Sequence, residues 1–243
     1  MKPIYLSGCL TLALISIVGL SARIAAQPAT CQGVSECFDP PDSDEPGGRE
    51  DGTGRNPDCP EPTIPLTALV PITNSSLTAD ASPDFWLYVP YESGTVELRL
   101  KEVSESAIAP ADPIMFPVAG GSGIMHFELP DTVPALEAGK TYRWQFFFLF
   151  DSAATCEPSI SGVVQRVAAS PELEAELAQA QTAKERAIVY ARYQLWHETV
   201  GELLGTSEDL TADWLELLQH PMVNLEHLGT EAIVPCCTVN LEL

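Results

Sequence analysis

Basic residues are what this chain has least of: 12 Lys and Arg against 34 Asp and Glu in 243 residues, for a formal charge of −22. That balance excludes nucleic acid as a partner, because affinity there comes from neutralising phosphates. It equally excludes docking on anionic lipid headgroups. Long apolar runs are also lacking. Beyond the N-terminus no segment approaches the ~20 apolar residues needed to cross a bilayer. Histidine is scarce, with four in all (His126, His197, His220, His227). No H-E-x-x-H, P-loop, G-x-G-x-x-G or nucleophile elbow occurs. The sequence therefore offers no catalytic residue, no cofactor and no metal site. It reads as a non-enzyme.

What is present begins with an export signal. Lys2, an apolar run over residues 10–20 and a small-residue end at Ala25-Ala26-Gln27 predict a signal peptide over residues 1–26. Leu6-Ser7-Gly8-Cys9 matches a lipoprotein motif, but most of the apolar run follows that cysteine instead of preceding it. The expected location is the periplasm, the cell surface or the medium, with no membrane span after cleavage. Six cysteines remain (Cys31, Cys37, Cys59, Cys156, Cys236, Cys237), an even number that suggests disulfides in an exported chain. Cys31 with Cys37 and Cys59 with Cys156 are the expected pairs. Cys236 and Cys237 are neighbours, each expected to reach elsewhere or stay free.

Residues 27–65 hold eight of the 21 prolines, five glycines and a run of acids, and predict a disordered, solvated linker. Residues 66–168 predict an immunoglobulin-like antiparallel β-sandwich of seven strands. Period-two alternation is clearest at Val96, Leu98 and Leu100 against Glu97, Arg99 and Lys101. Strands are also expected over residues 66–70, 85–89, 114–118, 124–129, 141–150 and 160–167. Gly120-Gly121-Ser122-Gly123 is expected to form a hairpin. The run Gly139-Lys140-Thr141-Tyr142-Arg143-Trp144 places a turn glycine before a tyrosine and alternating aromatics, the pattern of a tyrosine corner.

Residues 169–243 predict a small helical subdomain, so the fold class is α+β. Ser170-Pro171-Glu172 opens one helix. Thr182-Ala183-Lys184-Glu185 fits a capping box and opens a second, which runs to Gly205. A third is expected over residues 212–219. These helices are expected to cover the apolar sheet face around Phe147.

Three functional classes remain open. Trp86, Tyr88 and Tyr91 could present rings to a sugar chain; the alternative is that such rings fill the core. The abundant carboxylates could form a glycosidase-like pair on folding. A fold without motifs but with an appended helical face points instead to a protein-binding or surface-assembly module, the leading expectation. The partner would be an envelope protein or a polysaccharide.

The ordered set Leu66-Thr67-Ala68-Leu69-Val70-Pro71, Phe85-Trp86-Leu87-Tyr88-Val89-Pro90-Tyr91, Gly139 to Trp144, Gly162-Val163-Val164-Gln165-Arg166-Val167, with Tyr190-Ala191 and Leu195-Trp196 behind it, resembles the cyanobacterial family called domain of unknown function 928. The resemblance covers about residues 60–220. It implies an exported cyanobacterial protein, and it implies no activity.

Overall fold

The computed structural model describes residues 31–41, 47–52, 59–103, 112–151 and 156–237. The signal segment and Cys9 lie outside these residues, as do Asp42, Asp44 and Glu45 of the acidic run.

Eight strands are present among the described residues: β1 Thr67–Ala68, β2 Ser75–Thr78, β3 Phe85–Val89, β4 Ser93–Glu102, β5 Ile114–Ala119, β6 Gly123–Phe127, β7 Thr141–Leu149 and β8 Ser159–Arg166. They make two sheets, one ordered β1-β3-β6 and one ordered β2-β8-β7-β4-β5. Helices follow: α2 Pro171–Leu177, α3 Ala183–Arg192, α4 Trp196–Leu204 and α5 Thr211–Leu218, with a short α1 at Val34–Cys37. The fold is thus α+β, with two sheets and a few C-terminal helices.

Alternation on β7 sends Trp144, Phe146 and Phe148 into the shared core, where all three are fully buried. Phe85 of β3 meets Phe146 at 5.4 Å, and Phe127 of β6 meets Phe116 of β5 at 5.2 Å, so the two sheets interlock through rings. Gly162 is required opposite Trp144, since a Cβ there would overlap the indole. At the entry to β7, Gly139 takes φ 84°, and the Tyr142 hydroxyl accepts the Glu137 amide at 2.8 Å.

Five expectations need correction. First, much of the supposed linker is built into the fold. Val34, Cys37 and Phe38 are core residues, and Phe38 packs 4.9 Å from Trp196. Arg49 is buried, donating to the carbonyls of Val70, Val223 and Asn224. Apolar burial and these bonds offset the ordering entropy that the composition alone could not.

Second, β2 was not expected. It is short and polar, and it runs parallel to β8, so the larger sheet is not purely antiparallel. Third, the glycine turn at residues 120–122 is not a hairpin, because β5 and β6 lie in different sheets. It carries the chain across the core. Fourth, the expected second helix breaks in two. Gln194 takes φ 61° between α3 and α4, and the break redirects Trp196 so that its Nε1 donates to the Leu69 carbonyl at 2.7 Å. Fifth, the helices do not cover Phe147. That ring is half-buried beneath the Arg99 guanidinium, 4.6 Å from its centroid, while α4 packs against β2.

Sheet edges are shielded. Residues 49–51 bond along β1, through Ala68 N to Arg49 O and Asp51 N to Leu66 O. Leu195 bridges to Leu77 of β2, and Ala232 and Val234 bond to Ile124 of β6. On β5 the partner of Thr95 is Pro117. A proline there leaves no amide to point outward, so the fourth edge is interrupted at its middle.

Candidate functional site

The polar strand β2 and the start of α4 build the site together. Trp196 and Val200 anchor α4 in the core. Between them His197 and Glu198 project toward β2 and the turn after it. His197 Nδ1 lies 2.7 Å from the Asp84 carbonyl and Nε2 lies 2.9 Å from Ser76 Oγ. A carbonyl only accepts, so Nδ1 carries the proton and Nε2 accepts from Ser76. Burial pushes this imidazole down to about 4, so it stays neutral. A serine donating to a neutral histidine has the geometry of an activated nucleophile. Ser76, however, is 0 % exposed. Its hydroxyl meets no substrate and serves as a latch between β2 and α4.

Glu198 is held from one side. Its Oε1 accepts from Thr78 Oγ1 at 2.9 Å, the Ala79 amide at 2.6 Å and the Asp80 amide at 3.0 Å. Its Oε2 is buried and has no partner among the described residues. Burial pushes the carboxyl up, against the pull of those hydrogen bonds.

These groups floor a cleft of about 410 Å³ between the β3–β6 pair and the α3–α4 pair. Trp86 lines it, its ring stacked on His126, the residue directly across on β6, at 4.5 Å and 16°. His126 Nε2 sits 3.1 Å from Asp84 Oδ2, out of line for a hydrogen bond. At the rim Arg186 makes a two-pronged pair with Glu202, both contacts 2.7 Å. Asp80 and Asp84 also line the cleft, so carboxylates outnumber its one arginine. The arrangement repels anions and can exchange hydrogen bonds with a neutral or cationic group.

The aromatic trio expected to present rings does not form one surface. Trp86, Tyr88 and Tyr91 are 7 %, 6 % and 7 % exposed. Tyr91 packs on Phe148 at 4.4 Å, and burial pushes its phenol up to about 12. Tyr88 bonds to Glu231, and burial pushes its phenol up as well. Only Trp86 reaches the cleft. The core demanded these rings, which bury more area than any other side chain.

Cys31 is joined to Cys37 and Cys59 to Cys156, with Cα atoms 5.3 and 5.2 Å apart. Cys236 and Cys237 are joined to each other; they neither reach elsewhere nor stay free. Among the described residues no group of three or more His, Cys, Asp or Glu could hold a metal ion. No helix there is long and apolar enough to cross a membrane.

Sequence reasoning missed Ser76, Thr78, His197 and Glu198. The available signal was the polar pair His197-Glu198 set between the apolar Trp196 and Val200 in the first turns of α4.

A two-sheet α+β fold with a carboxylate-lined cleft at its helical seam defines an architecture and not a reaction. The chain belongs to the family described as Domain of Unknown Function (DUF928), whose model matches residues 50–233. The match runs from Glu50, paired with Thr67 at one sheet edge, to Ile233, paired with Ile124 at another. No curated protein matches the chain.

Proposed function

We propose that the protein is an exported, non-catalytic binding module of a cyanobacterial cell envelope, acting in the periplasm or at the cell surface on an envelope protein or polysaccharide. The N-terminal leader, the disulfides and the family resemblance support export and origin. We also infer that its two sheets form an immunoglobulin-like sandwich. The orders β1-β3-β6 and β8-β7-β4-β5, with the Tyr142 hydroxyl bonded back to Glu137, support that reading.

The observation that carries binding is the cleft: it is polar and lies between two layers. Three of its lining residues, Trp86, His126 and Glu198, hold buried polar atoms that accept or donate no hydrogen bond among the described residues. Assembly by strand addition is less well supported, since three sheet edges are shielded and Pro117 interrupts the fourth. Catalysis is less well supported too. Ser76 is sealed, Glu202 is paired with Arg186, and Glu198 Oε1 is committed to three donors.

The test is recovery of the tagged full-length protein from envelope fractions after mild cross-linking. A reproducible envelope protein or polysaccharide in the eluate, lost with Gly201→Phe, is expected. Gly201 lies on α4 and lines the cleft, and a Cβ there meets nothing within 4 Å, so the new side chain starts from open space at the cleft wall. Recovery of the protein alone, or a partner indifferent to Gly201→Phe, would overturn the proposal.

A further inference from the structure

We propose that the occupant of this cleft is a neutral saccharide, recognised through hydroxyl groups by Trp86 Nε1 and Glu198 Oε2. This rests on the reading of the protein as a binding module and assigns its ligand class. The two atoms are both buried and both lack partners among the described residues. They ask for opposite things. The indole N–H can only donate, and the carboxylate oxygen accepts. Trp86 is more than nine-tenths buried, so its donor cannot turn to bulk water instead.

An ammonium or guanidinium group answers Glu198 but leaves the indole unsatisfied, because it has no acceptor. Phosphate, sulfate or a carboxylate answers the indole but meets Asp80, Asp84, Glu198 and Glu202. A hydroxyl donates and accepts and carries no charge, and a sugar presents several in fixed geometry. The seats around these atoms suit that ligand. Tyr190 adds a hydroxyl, and His126 adds a ring nitrogen. A peptide amide also donates and accepts. An extended peptide, however, draws its affinity from a sheet edge, and the cleft lies between a sheet face and two helices.

The experiment uses the mature full-length chain and a panel of neutral oligosaccharides (cellobiose, maltose, chitobiose and xylobiose), together with neutral polysaccharide from the host envelope. Inorganic phosphate and a Lys-Arg-Lys peptide serve as comparators. Tryptophan fluorescence and calorimetry read binding. At least one neutral saccharide is expected to bind, and phosphate is not. Trp86→Phe keeps an aromatic ring but removes the N–H together with part of the indole; Glu198→Gln keeps the Oε1 acceptor and replaces Oε2 with a donor. Each is expected to weaken binding by about tenfold, the loss of one buried hydrogen bond. Gly201→Phe is expected to abolish it while the melting temperature holds or rises.

Absence of binding to every neutral saccharide overturns the inference, as does binding unchanged by Gly201→Phe. If only the basic peptide binds, and Gly201→Phe removes it, the saccharide assignment falls while the binding module stands. If a saccharide binds and new reducing ends appear, the saccharide assignment stands and the non-catalytic reading falls.

Discussion

The aromatic layer between the two sheets and the polar seam between β2 and α4 are both buried, yet they are held together by different physics. The layer is Trp144, Phe146 and Phe148 against Phe85 and Phe127, with little direction beyond ring geometry. The seam is Ser76, Thr78, His197 and Glu198, where each contact has a donor, an acceptor and a distance. Burial of apolar area stabilises the layer without regard to pH. The seam is buried at a cost, since each polar group must recover in hydrogen bonds what it loses in water. By itself such a seam fixes β2 and the turn after it against α4. Its position beneath the cleft is the reason to connect it with function.

The largest expected effect lies in the layer. Trp144→Ala removes a fully buried ring and opens a cavity, with an expected loss of about 3–5 kcal/mol. Urea unfolding followed by circular dichroism measures it. A loss under about 1 kcal/mol would mean that the layer is not the main stabilising region. The disulfide at the layer's margin comes next. Cys59 and Cys156 lie 97 residues apart in sequence, so their bond closes a long loop in the unfolded chain. Its reduction is expected to cost about 2–4 kcal/mol. Cys59→Ser with Cys156→Ser, compared with wild type in the same assay, isolates that bond from the other two.

The seam is sharpened by pH. His197 has a pKa of about 4 in the folded chain and 6.5 when unfolded, so the unfolded state binds the proton first. Its contribution is full above about pH 6.5 and is lost as pH falls toward 4, by about 3 kcal/mol in all. Glu198 runs the other way: its raised pKa makes stability fall as pH rises above the ordinary carboxylate range. The two partly cancel in the wild type. In a Glu198→Gln background the His197 window remains, beside that of His220, whose imidazole pKa burial also lowers. Stability there is expected to climb between pH 4 and 6.5, and adding His197→Gln should cut that climb to the His220 share. A climb unchanged in the double variant would place the titration elsewhere.

The same contrast governs what the sequence makes legible. β3 and β7 announce themselves, because Phe85, Leu87 and Val89 or Trp144, Phe146 and Phe148 repeat on alternate positions. β2 does not. Ser75-Ser76-Leu77-Thr78 has no apolar stripe, and it becomes a strand only by pairing with β8, 88 positions on from Ser75 at Val163. The hydroxyls of Ser76 and Thr78 face α4, which the pattern of neither segment reveals. Composition misled at the N-terminal side for a related reason. Proline, glycine and acids between residues 27 and 65 describe a solvated chain on average, while Val34, Phe38 and Arg49 act singly. The α3–α4 break was hidden because Trp196 and Val200 continue a helical period across Gln194, and only the need of the Trp196 indole for the Leu69 carbonyl turns the chain.

The smallest effect separates the seam from the cleft above it. Gly201 stands in the middle of α4, and no atom crowds the space where its Cβ would be. Nothing in the packing requires glycine there, and its backbone is in no left-handed conformation. In a helix interior glycine costs roughly 0.5–1 kcal/mol relative to alanine, through the extra freedom it surrenders on folding. Gly201→Ala should therefore raise stability by about that amount, read as a shift of a few degrees in the melting temperature. The methyl group enters the cleft and not the seam, so the His197 window should be unchanged. A stabilised variant with weakened ligand binding would show that the glycine keeps the cleft open at the expense of the helix. A destabilised variant would show that α4 has no room at this position and that the cleft is smaller than its walls define.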